Sequence, residues 1–105
     1  MDKATINTIV SFFKDSIIAN GIKVDGIALF GSALTGNMRE GSDIDIIVIS
    51  KSFEGKDIFE RAKMTAKTEI EAIRKFKVPL DVLTMSPKEY KNSQQARFYK
   101  SQIVV

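Results

Sequence analysis

The spacing of apolar residues along this chain changes repeatedly, and each change predicts an element. Ile6, Ile9, Val10, Phe13 and Ile17 recur every third or fourth residue, which predicts a helix over 4–19 with that face inward. Phe12 and Ile18 widen the apolar face, and Asn20-Gly21 supplies a helix stop. Residues 22–30 read as a strand, with Gly26 an irregularity and Ile27-Ala28-Leu29-Phe30 its apolar end. Gly31-Ser32 ends it, a short helical turn is expected at 33–36, and 37–42 is a polar loop.

Residues 43–50, Asp-Ile-Asp-Ile-Ile-Val-Ile-Ser, form the clearest strand. Alternation puts Asp43, Asp45, Ile47 and Ile49 on one face and Ile44, Ile46 and Val48 on the other. Both faces turn apolar after Asp45, which marks a central strand covered on both sides, its acidic end at the sheet rim. Lys51 to Lys56 reads as a loop. Residues 57–76 read as a second helix with Phe59, Ala62, Ala66, Ile70 and Ile73 inward, and the pairs Asp57–Arg61 and Glu71–Lys75 on the wet face. Pro79 opens a third strand, Leu80 to Met85, with Leu80, Val82 and Thr84 on one face and Asp81, Leu83 and Met85 on the other. Ser86-Pro87 looks like the N-cap and first residue of a short helix. A weaker helical pattern covers 91–102, and the chain ends on Ile103-Val104-Val105, fit to pack on the core or meet a partner.

This order of helices and strands predicts an α/β fold: a small mixed β-sheet of three or more strands with helices packed on it, in one domain spanning 1–105. No apolar run is long enough to span a bilayer and no signal-peptide pattern opens the chain, so a cytoplasmic location is the default expectation. The chain has no cysteine and no histidine. Disulfides, thiolate catalysis, zinc sites built on those ligands and a histidine base are therefore excluded. A metal would have to be held by oxygen, which suits magnesium, manganese or calcium. The net charge of +3 is compatible with a polyanionic small ligand, a nucleic acid or an acidic protein partner.

Against that background, residues 31–45 carry the chemistry. Gly31-Ser32 follows a strand, ten residues separate Ser32 from Asp43, and Asp43-Ile44-Asp45 opens the buried strand. A glycine turn lets backbone N–H groups approach phosphates. Carboxylates at i and i+2 of a strand share a face and can hold a hard cation. Asp81 supplies a third acid if its strand lies beside theirs. Two-metal phosphoryl and nucleotidyl transfer needs such a convergence, with ions about 3.5–4 Å apart. The three acids are expected to fall within one cluster.

Gly31-Ser32, Asp43-x-Asp45 and Asp81, in this order and strand context, resemble the minimal nucleotidyltransferase domains of the DNA polymerase β-like superfamily. The resemblance covers roughly residues 5–90. It implies the nucleotidyltransferase fold and transfer of a nucleoside monophosphate, AMP from ATP, to a hydroxyl acceptor with release of pyrophosphate. It implies two Mg2+ or Mn2+ ions held by Asp43, Asp45 and Asp81, with Asp81 helping to activate the acceptor. Nucleotide binding would fall to Gly31, Ser32, Arg39 and Ser42. Small stand-alone members are often antitoxins paired with an all-helical HEPN partner, so a toxin–antitoxin role with a HEPN-type partner protein is implied. Many relatives carry arginine where this chain has Leu34 or Thr35, and Arg39 is the loop's only basic residue.

Other readings make different predictions. A non-catalytic binding module would neutralise a partner by docking, a role that the small size and apolar tail suit, and a homodimer is open on the same grounds. A calcium loop of the EF-hand kind lacks its next acid, its glycine and its distant Glu. No basic–aromatic strip points to nucleic acid.

Overall fold

The computed structural model describes residues 3–31 and 43–93, and the backbone of 102–103. The expected turn at 33–36, the loop at 37–42, most of the helical pattern at 91–102, and Val104 and Val105 lie outside the described residues.

Helix α1, Lys3–Ala19, buries Ile6, Ile9, Val10, Phe13 and Ile17, the face its periodicity predicts. Ile18, read as widening that face, is 49% exposed. Gly21 closes the helix at φ +86°. Its N–H donates to the Ile18 carbonyl at 2.9 Å and the Ile22 N–H donates to that of Ile17 at 3.2 Å. This satisfies two of the carbonyls a helix end leaves open, in a geometry glycine adopts at little cost.

Strand β1 is Gly26–Phe30, shorter than the 22–30 expected. The residues before it serve other ends: Ile22 packs in the core behind the α1 cap, and the Asp25 carboxylate accepts from the Lys51 N–H at 2.7 Å. Strand β2 is Ile44–Ile49. Ser50 then caps a single 3₁₀ turn, Lys51–Phe53, within the expected loop. Phe53 swings from that turn into the core, fully buried.

Helix α2 is Ile58–Phe76, capped by the Asp57 side chain. Strand β3 is Leu80–Met85. Helix α3, Pro87–Asn92, starts with a reciprocal capping box between Ser86 and Glu89. A short strand β4, Gln102–Ile103, completes a four-stranded mixed sheet in the order β3-β2-β1-β4. β2 is antiparallel to β1 and parallel to β3, so it is central, as its two apolar faces require. On one face Ile27, Leu29, Ile44, Ile46 and Val48 meet α1. On the other, Ala28, Phe30, Ile47 and Ile49 pack with Leu83, Met85 and Tyr90.

The orientation of α2 overturns the sequence expectation. Phe59 is 75% exposed, Ile70 51% and Ile73 42%. Ala62 is exposed too, and Ala66 is only half-buried. The buried residues are instead Thr65, Thr68 and Ala72. Met64 and Phe76 pack on the core beside them, and Thr68 finds polar partners on α1. Thr68 Oγ1 lies 2.9 Å from Ser16 Oγ, and Asn20 Nδ2 donates to Thr68 Oγ1 at 3.1 Å. Apolar periodicity finds a stripe but does not say which side of the helix faces the sheet.

In place of the expected i, i+4 ion pairs, these charged side chains take partners elsewhere in the fold. Arg61 reaches Glu89 at 2.8 Å and donates to the Lys56 carbonyl at 2.9 Å and to that of Thr84 at 3.3 Å. It thereby ties α2 to β3 and α3. Glu71 accepts from Ser16, while the Lys75 ammonium sits 4.7 Å from the Phe12 ring centre.

Candidate active site

Three strand ends meet at one rim of the sheet. β1 runs out through Phe30 into Gly31, while β2 and β3 both begin there. Register pairs Phe30 with Asp45 and Asp45 with Asp81. By alternation both acids project from the face carrying Ile47, Ile49 and Leu83, and Asp43 precedes Asp45 on that same side.

Gly31 is held against Asp45. Its φ is +66°, and a Cβ there would lie 2.6 Å from Asp45 Oδ2. Both the left-handed backbone and the close approach of the carboxylate call for glycine. The turn that begins the expected phosphate loop is thus fixed beside the acid pair.

Electrostatics mark Asp45 as the strained member. Burial pushes its carboxyl above the usual range first, then the charges of Asp81 and Asp43. A hydrogen bond to Asp81 adds to this, because it favours the form of Asp45 that carries the proton. Glu69, which sequence reasoning missed, is also raised: burial is the main cause, a hydrogen bond from Thr65 opposes it, and the Asp81 charge adds to it. Its place on α2 gave no signal, since its nearness to Asp81 exists only once the helix packs beside β3.

Of the residues expected at the site, Gly31, Asp45 and Asp81 are brought together, and Asp43 acts on Asp45 through its charge. Ser32, Arg39 and Ser42 lie outside the described residues, as do Leu34 and Thr35. Among the described residues no three acids are gathered tightly enough to enclose an ion as their side chains stand. The chemistry of the donor set still fits a hard divalent cation. All its donor atoms are oxygen, and a cation bound there would offset the like-charge repulsion among Asp43, Asp45 and Asp81 that helps raise the Asp45 carboxyl.

The nucleotidyltransferase domain family matches residues 6–104 of the chain. No match was found among curated proteins. In structure the chain resembles a protein from Sulfolobus solfataricus assigned as a nucleotidyltransferase, whose crystal structure was determined at 1.40 Å. That likeness has a TM-score of 0.71 at 15% identity and covers 96% of this chain and 80% of the other. At that identity it speaks for the fold alone.

Proposed function

Since this chain belongs to the nucleotidyltransferase domain family, we propose that it transfers a nucleoside monophosphate, AMP from ATP, to a hydroxyl acceptor in the cytoplasm. The observation that carries this reading is the meeting of Gly31, Asp45 and Asp81 on three adjacent strand ends. Asp43, Asp45 and Asp81 are the residues that would hold Mg2+ or Mn2+, whose role is to neutralise charge on the triphosphate and the departing pyrophosphate. The Gly31 backbone, with Ser32, Arg39 and Ser42, is assigned to the phosphates. Asp81, on the edge strand, is assigned to orienting the acceptor hydroxyl and taking its proton. A HEPN-type partner protein is the proposed source of that hydroxyl, in an antitoxin role.

Calorimetric titration of ATP in magnesium tests the site, on the wild type and on Asp43→Asn, Asp45→Asn. Saturable, magnesium-dependent binding that the double variant loses is the expected result. Absence of binding to the wild type would overturn the nucleotide reading. Turnover is then followed by transfer of label from α-labelled ATP, with pyrophosphate release, and its absence with every hydroxyl-bearing partner offered would leave a binding module in place of an enzyme.

A further inference from the structure

Helix α2 turns its most apolar stripe to water. Phe59, Ala62, Ala66, Ile70 and Ile73 fall three or four residues apart, on one side of the helix. Ile58, at the helix start, is 74% exposed as well. The core-facing side of α2 holds Thr65, Thr68 and Ala72, so the stripe contributes little to the interior. Apart from Ala66, which is half-buried, the stripe is exposed, and an exposed apolar stripe of this kind marks an interaction surface.

Charge limits what can cover it. Lys63, Lys67 and Arg74 line one flank at helical spacing, with Glu60 the acid at its N-terminal end. Past the helix, an apolar groove of about 530 Å³ continues the stripe between Ile73, Val78, Pro79 and Leu80. Its wall also holds the cations Arg74 and Lys77. A second copy fits badly. Packed antiparallel about a two-fold axis, the basic flank would face itself. Packed parallel, it would meet Glu69, which is half-buried and bonded to Thr65 within its own helix.

We propose that the exposed stripe of α2 and the groove beyond it form a docking surface for an amphipathic helix of a partner protein, one whose apolar face is flanked by acidic residues. The apolar stripe supplies the buried contact and the basic flank sets orientation and partner choice. The surface goes beyond the nucleotide reading and does not depend on it, since none of its residues lies among the rim acids.

Two synthetic helices matched to the 19 residues of α2 test it. Both carry one leucine stripe at i, i+3, i+4 and i+7; one bears a glutamate flank and the other a lysine flank. Anisotropy titration against the full chain at low salt should favour the glutamate peptide by about tenfold or more. Lys63→Glu, Lys67→Glu, Arg74→Glu should reverse the preference. Ile70→Asp should weaken the glutamate peptide by about tenfold or more, with thermal melting and ATP binding unchanged. Should Ile70→Asp lower the melting temperature, Phe59→Asp serves in its place. Equal binding of the two peptides, no binding of either, or indifference to both apolar substitutions would overturn the proposal. So would a concentration-dependent dimer, seen by sedimentation, that Ile70→Asp dissolves. Loss of ATP binding in the rim-acid variants with peptide binding intact would separate the two readings.

Discussion

Replacing Gly31 by alanine separates backbone strain from damage to the site. At φ +66° an alanine at 31 is strained whatever room it has, at a cost of about 1–2 kcal/mol. The new methyl would also lie 2.6 Å from Asp45 Oδ2, against the 3.4 Å at which ordinary contact begins. That oxygen is the end of a short rotatable side chain, so Asp45 gives way and the fold survives. Gly21→Ala is the control. Its φ is +86° with nothing within 4 Å of the added carbon, so it carries the backbone strain alone. Urea melts should show similar losses for the two variants. Magnesium titration of ATP binding should separate them, with Gly31→Ala weaker by about 10–100-fold, the usual range when a ligand's support is disturbed, and Gly21→Ala unchanged. Equal magnesium affinity in the two variants would refute the argument that Gly31 is there to seat Asp45.

Other substitutions test the packing and the charges. Phe53→Ala should cost about 3–5 kcal/mol, because Phe53 is fully buried, whereas Phe59→Ala, at a site 75% exposed, should stay within about 0.5 kcal/mol by the same melts. Similar losses at the two positions would mean that α2 is turned the other way. Thr68→Val removes the hydrogen bonds that Thr68 makes with Ser16 and Asn20 at the α1–α2 contact and should cost about 0.5–1.5 kcal/mol, since Ser16 keeps Glu71 as a partner. Asp81→Asn should bring the Asp45 carboxyl back toward its ordinary value, followed by carbon-13 NMR, though burial will hold it partly raised. Because Asp45 is raised in the fold, its contribution to stability is fully present below its unfolded value of 3.8 and is lost as pH rises through the folded value. Asp81→Asn should therefore flatten that loss, and an unchanged stability–pH profile would contradict the pairing of the two acids.

Local physics made much of this protein legible before any fold was known. The α1 face, the Asn20-Gly21 stop, the two-faced strand behind Asp43 and Asp45, and the Ser86-Pro87 helix start are all set by neighbours a few residues apart. Period, capping and alternation therefore specify them. The rim was legible for a related reason: a strand that turns apolar on both faces after an acid pair has to end at the edge of a covered sheet.

The tertiary structure decided what depends on distant segments meeting. Phe53 enters the core because the 3₁₀ turn aims it there, which no spacing announces. Asp45 and Asp81 act on each other because β2 and β3 run parallel in register, 36 residues apart in the chain. Glu69 joins their field only when α2 packs beside β3. The side of α2 that faces inward depends on what lies opposite it: Met64, Ala72 and Phe76 pack on the core and Thr68 bonds Ser16, which leaves Phe59, Ile70 and Ile73 in water. Sequence determines which faces a segment can offer. Which of them is buried depends on what the rest of the chain puts opposite, because burial is a property of pairs of surfaces.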